Sequence, residues 1–254
     1  LEASGALRLG AGWSAGAALA ASDLSERAGR LDQDVLRGEA SLALAGAVAS
    51  AAIAGGYGAF APRDPELRPF EARGPAAALR LGVVLPARHA VGASYTLWAA
   101  TYPRWRAFAG QDRDDHTHTL SLEWSHRGAF LAAAGGSYAW NLSSAPGGDF
   151  RRARLTARAA AELPLELTLA ARGALQWSTY PDAAFVGQQV LLAAGSEDLD
   201  ALDVRLARAL AGALEAFAAV ALNRGGTTAA GAPSYARTVI TVGLAWRTPL
   251  LTEP

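Results

Sequence analysis

Between Leu165 and Thr179 the chain alternates with period two. Leu165, Leu167, Leu169, Ala171, Gly173, Leu175 and Trp177 occupy one set of positions; Glu166, Thr168, Ala170, Arg172, Ala174, Gln176 and Ser178 occupy the other. Successive side chains of a strand point to opposite faces, so this segment predicts a strand with one apolar and one polar face. The segment before it repeats the pattern, with Ala153, Leu155, Ala157, Ala159 and Ala161 set against Arg152, Arg154, Thr156, Arg158 and Ala160. Leu7, Leu9, Ala11 and Trp13 read as one face of a first strand. Leu36, Ala40, Leu42, Leu44 and Val48 stand opposite Arg37, Glu39 and Ser41. Further apolar faces run through Ile53 and Tyr57, Leu79–Leu85, Val91–Leu97, Leu120–Trp124, Phe130–Trp140, Leu202–Leu206, Ala218–Leu222 and Ile240–Trp246. Together they predict about twelve strands (ten to fourteen), each roughly nine to fifteen residues long, in one domain spanning 1–254.

Strands of that length suit a bilayer better than a soluble sheet. Three charge-free runs, 41–62, 89–103 and 128–148, could suggest membrane helices, but they are rich in Gly and Ala and lie within the alternating pattern. A membrane helix would also have to bury Arg158, Glu162, Glu166 and Arg172, at about 2.5–3.5 kcal/mol each. A strand turns every second side chain into a polar interior and avoids that cost. Connections alternate in length. Long ones are predicted near 21–34, 61–75, 103–116, 143–150, 180–200 and 225–234, and short ones near 48–51, 86–89, 126–128, 162–165 and 211–214. Two segments are ambiguous. Leu199, Leu202, Leu206, Leu210, Ala213, Leu214 and Phe217 recur at helical spacing, although Gly212 and the neighbouring strands favour a hairpin. Residues 183–194 fit either a short helix or an additional strand pair.

Composition narrows the function. Apolar residues make up 51% of the 254 positions and charged residues only 18%, against about 25% in ordinary soluble domains. All 23 basic residues are Arg, balanced by 23 acids, so the electrostatic footprint of a nucleic-acid binder is missing. The absence of Cys excludes disulfides, thiolate nucleophiles and Cys metal sites. Residues 1–20 contain no basic region followed by an apolar core, which points to a processed form or a segment of a larger chain.

The final strand reads YARTVITVGLAWR, with Thr241, Gly243 and Trp246 in a polar-x-Gly-x-x-aromatic arrangement. It resembles the C-terminal assembly signal of bacterial outer-membrane β-barrel proteins, although Thr248 stands where a second aromatic is usual. The resemblance implies an all-β, transmembrane, antiparallel up-and-down β-barrel in the outer membrane, placed there by the outer-membrane assembly machinery. An even strand number would put both termini in the periplasm. The bilayer and other envelope proteins are then the expected partners, with no nucleic acid and no cofactor.

Candidate chemistry is sparse. Asp112–His118 places His116 and His118 two residues apart beside Asp114, a weak metal or surface-hydrolase candidate. Both His share parity with Leu120, Leu122 and Trp124 and are expected to face outward. Ser125-His126, the only hint of a nucleophile–base pair, falls in a predicted turn. The lumen-lining set is Arg80, Arg152, Arg154, Arg158, Glu162, Glu166, Arg172, Arg205 and Arg237, with Arg8, Arg37, Arg247, Glu2, Glu39, Glu123, Asp203 and Glu215 of the same inward parity. Paired, these charges would fill a narrow lumen; unpaired, they would line an anion path. The sequence favours the filled lumen. It therefore points first to a non-enzymatic membrane anchor or structural subunit of an envelope assembly, second to an anion-leaning small-solute channel or a translocator barrel, and third to a rim hydrolase.

Overall fold

The computed structural model describes residues 2–24, 33–63, 65–106, 112–145, 147–182, 184–186, 189–192, 195–211, 213–227 and 234–246. The strands are β1 (Glu2–Gly10), β2 (Trp13–Leu24), β3 (Gln33–Ala45), β4 (Ala49–Pro62), β5 (Ala72–Leu85), β6 (His89–Arg106), β7 (Asp112–Arg127) and β8 (Phe130–Ser143). They continue with β9 (Phe150–Leu163), β10 (Leu167–Tyr180), β11 (Ala184–Val186), β12 (Gln189–Leu192), β13 (Gly195–Ala211), β14 (Leu214–Thr227) and β15 (Tyr235–Trp246). All but β11 and β12 form one 13-stranded sheet in chain order, each strand antiparallel to the next. The chain is all-β, and among the described residues it contains only short 3-10 turns and no α-helix. No ladder joins β1 to β15 among the described residues, so the sheet is open.

Four of the predicted short connections are observed, whereas the long ones near 21–34, 103–116 and 225–234 lie partly outside the described residues. The short turns close at 46–48, 86–88, 128–129 and 164–166. Segment 199–223 is a hairpin, with β13 paired to β14 from Glu197↔Thr227 to Ala211↔Leu214. Segment 183–194 holds the isolated pair β11–β12. The three charge-free runs hold strands and the turns between them, with no helix among the described residues.

Four readings are corrected. Leu7–Trp13 is not one strand. Gly10, Ala11 and Gly12 have φ of 92°, 46° and 82°, a left-handed turn that separates β1 from β2. Two of its three residues are Gly, which adopt that region without a Cβ penalty. The extra hairpin makes the count odd, so Glu2 and Trp246 lie at opposite ends of the sheet rather than the same end. Glu166 lies not in a strand but in the turn Pro164–Glu166, where Leu165 and Glu166 take φ of 66° and 59°. Ser125 and His126 belong to β7, and the turn follows them.

The molecule exposes 17165 Å². A compact soluble monomer of 26.2 kDa would expose roughly 10,600 Å². Many large apolar side chains are among the exposed ones. Leu7, Leu42, Ile53, Leu79, Leu120 and Tyr138 follow one another across the ladders on one face and are all exposed. On the opposite face, a hollow of about 900 Å³ runs from β7 to β15, so the sheet curls toward its polar side. The sheet is therefore polar on its concave face and apolar on its convex face.

Candidate functional site

Cross-strand pairing brings the predicted Arg residues together on the concave face. Arg158 stands directly opposite Arg172, and Arg172 opposite Asp203. Like charges face to face on a sheet repel, and here acids offset them. The Arg172 Nε donates to Asp203 Oδ2 at 2.9 Å, and Arg158 Nη2 donates to Glu123 Oε1 at 3.2 Å. Next to them, Arg205 bonds Glu215 and lies over the Phe217 ring, 4.7 Å from its centroid. Arg80 approaches Glu39 at 3.7 Å, and Arg37 bonds the same carboxylate at 2.8 Å.

Other Arg residues of this face have no carboxylate partner among the described residues. Arg152 donates from Nε to Ser178 Oγ at 3.0 Å and from Nη2 to Tyr180 Oη at 3.3 Å. Arg154, opposite Ser137 and Gln176, has no ion pair among the described residues and projects into two adjoining hollows. Arg237, opposite Asn223, lies on the same face of the last strand. Glu162 keeps the predicted parity at the short-turn end, whereas Glu166 is in the turn below. Glu2 and Arg247 contribute no described side chain.

Few of these groups are shielded. The Arg158 and Arg172 side chains are 73% and 78% exposed. The residues between them are small: Ala133, Gly135, Thr156, Ala174 and Ala201. Side chains of that size leave the hollow beside Arg154 unfilled. The hollow therefore lies between charged walls, with more Arg than acid on them.

The acidic-His segment is divided by strand alternation. His116 and His118 face the convex side, as parity predicts, while Asp115 and Arg113 face the concave side. His118 stacks on Trp140 with centroids 4.9 Å apart, and its Nδ1 lies 2.6 Å from Tyr95 Oη. Among the described residues, no three metal-ligating side chains cluster. Alternation alone does not reveal what Arg113 and Asp115 do. Arg113 donates to Asp115 through Nε at 2.9 Å and Nη2 at 2.6 Å, and its guanidinium stacks between Tyr102 and Trp105 at 4.6 and 4.7 Å. Trp105, Ala100, Ala72, Asp115 and Asn141 are all buried around it. This knot at the long-connection end gathers several of the few buried side chains among the described residues. Its only trace in the sequence is Arg and Asp two positions apart, hence on one strand face.

On β15, Thr241 and Gly243 face inward and Trp246 outward. A Cβ on Gly243 would come within 3.2 Å of the Phe217 ring, so Gly243 makes room for that aromatic. No known protein family matches this chain, and no curated protein does either.

Proposed function

We propose that the chain forms the wall of an outer-membrane-type β-barrel whose water-filled interior passes small solutes and prefers anions. The observation that carries this reading is the inverted polarity of the sheet: apolar side chains exposed on the convex face, arginines solvated on the concave one. A soluble sheet would bury that apolar face, whereas lipid would cover it. The strands of the sheet are 9–18 residues long, and a tilted strand needs about 9–11 to cross the hydrocarbon.

The choice between conduit and filled scaffold turns on side-chain size. Eight-stranded barrels are filled by side chains, and those of 16–18 strands leave an aqueous channel. Thirteen strands lined largely by Ala, Gly, Ser and Thr fall on the open side. Fixed cationic charge in such a passage raises the local anion concentration, and Arg154 is the uncompensated cation best placed to do so.

Planar-bilayer conductance of the refolded chain tests the proposal. Stable steps with anion preference are expected, and replacing Arg154 and Arg158 with Glu should weaken or reverse that preference. A silent bilayer from correctly folded protein would return the function to a membrane anchor or structural subunit.

A further inference from the structure

We propose that His89 and His126 form a two-histidine site for a borderline divalent transition ion, with Cu²⁺ held most tightly. The two residues are direct partners in the β6–β7 ladder, on the convex face at the short-turn end. Their ring centroids are 4.5 Å apart, with planes tilted by 41°. Two nitrogens bound cis to one ion at about 2.0–2.1 Å stand about 2.9 Å apart in the tetragonal geometry of Cu²⁺ and about 3.3 Å apart in a tetrahedral one, so ring centroids 4.5 Å apart are within the range that two imidazoles sharing an ion occupy.

The orphaned atoms are the second observation. Nδ1 of His89 and Nδ1 of His126 are both buried and both lack a hydrogen-bond partner. A buried nitrogen left unpaired is costly, and here two such costs fall on neighbouring rings. A single metal ion would satisfy both. His118, on the same strand and the same face, makes the contrast: its Nδ1 is engaged by the Tyr95 hydroxyl.

The surroundings hold the rings in place. His89 stacks on Trp124, with centroids 5.6 Å apart, and His126 packs against Phe130 at 4.8 Å. The Nε2 edge of His126 lies over Gly128, where a Cβ would collide with it. His126 is the last residue but one of β7, and His89 is the first of β6, so the pair sits at the rim of the sheet. Among the described residues no third side-chain ligand joins them, which leaves the remaining coordination positions to water. Imidazole ligands suit Cu²⁺, Ni²⁺ and Zn²⁺, and Cu²⁺ leads that series.

Cu²⁺ titration of the folded full chain in detergent at neutral pH, without a histidine tag, tests the site. Trp124 fluorescence should be quenched at one Cu²⁺ per chain, electron paramagnetic resonance should report nitrogen ligation, and Mg²⁺ should do neither. His89→Ala and His126→Ala should each weaken binding at least ten-fold, while His118→Ala should not. Gly128→Ala, which keeps both ligands but displaces the His126 ring, should also weaken it. His126→Gln gives a second variant of similar bulk should the Ala form fold poorly. Equal Cu²⁺ affinity in wild type and in folded His89→Ala or His126→Gln would overturn the proposal, as would nitrogen ligation that survives both.

Discussion

Placing Arg at two consecutive positions of β14 tests the polarity of the sheet most directly. Val220 faces the convex side between Val204 and Ile240; Ala221 faces the concave side between Asp203 and Val239. Val220 lies six residues above the start of β14 at Leu214. At about 3.4 Å per residue and a tilt near 40°, that places it roughly 15 Å above the short-turn end, close to the middle of an apolar band about 25 Å tall. Arg at the bilayer midplane costs about 2–4 kcal/mol. At ~1.4 kcal/mol per factor of ten, Val220→Arg should lower the folded-to-unfolded ratio about 30- to 700-fold. Ala221→Arg should change it by no more than about 1 kcal/mol, since the new guanidinium enters a solvated hollow beside Asp203. The assay is urea-dependent folding into phospholipid vesicles, followed by tryptophan fluorescence and gel mobility. Were the convex face in water, Val220→Arg would fall within about 0.5 kcal/mol of wild type. Equal effects at 220 and 221 would refute the assignment of the faces.

Other outcomes follow from the same geometry. Asp115→Asn should destabilise the chain by about 3–5 kcal/mol, because it leaves the buried Arg113 without its carboxylate; chemical denaturation measures the loss. Asp203→Asn should cost under about 1 kcal/mol in the same assay, since Arg172 is 78% exposed and the pair is screened. Gly243→Leu should lower the folded yield by colliding with the Phe217 ring, and Phe217→Ala in the same chain should restore part of it. Far-UV circular dichroism in detergent should be strand-dominated, with different gel mobility before and after boiling; a helical spectrum would contradict the fold.

The fold was legible where the period-two signal was long and its punctuation conventional. β9 and β10 could be read residue by residue, because Arg on one parity and Leu or Trp on the other cannot both suit a helix in lipid. Reading failed where apolar parity carried through a turn. Leu7, Leu9, Ala11 and Trp13 keep step across Gly10–Gly12, because the register shift between Arg8 and Gly10 restores the alternation that a plain two-residue turn would invert, so counting faces cannot detect it. Gly-Ala-Gly was the available clue, and a missed hairpin shifts the strand count by one. That single strand moves one end of the described sheet to its other side. Glu166 failed similarly: Pro164 marks the turn, but Leu165 and Glu166 continue the alternation that β10 then takes up.

The candidate site was half legible, and the missing half is a matter of neighbours. Parity put Arg158, Arg172 and Arg205 on one face, but the register decides which charges meet, and register depends on turn lengths. One residue's slip would turn Arg172 away from both Arg158 and Asp203. The lumen was expected to be filled because its charges could pair, and they do pair: Arg172 with Asp203, Arg158 with Glu123, Arg205 with Glu215. Pairing and filling are separate questions. A salt bridge joins strands of the sheet, whereas filling depends on side-chain length, and most residues lining the hollow beside Arg154 are Ala, Gly or Thr. The same small residues are what keep Arg154 solvated. Lengthening the wall tests this: Ala174→Leu with Ala201→Leu, both beside Arg154's hollow, should reduce conductance while leaving every ion pair in place. Unchanged conductance in that folded variant would mean that ions do not pass this wall.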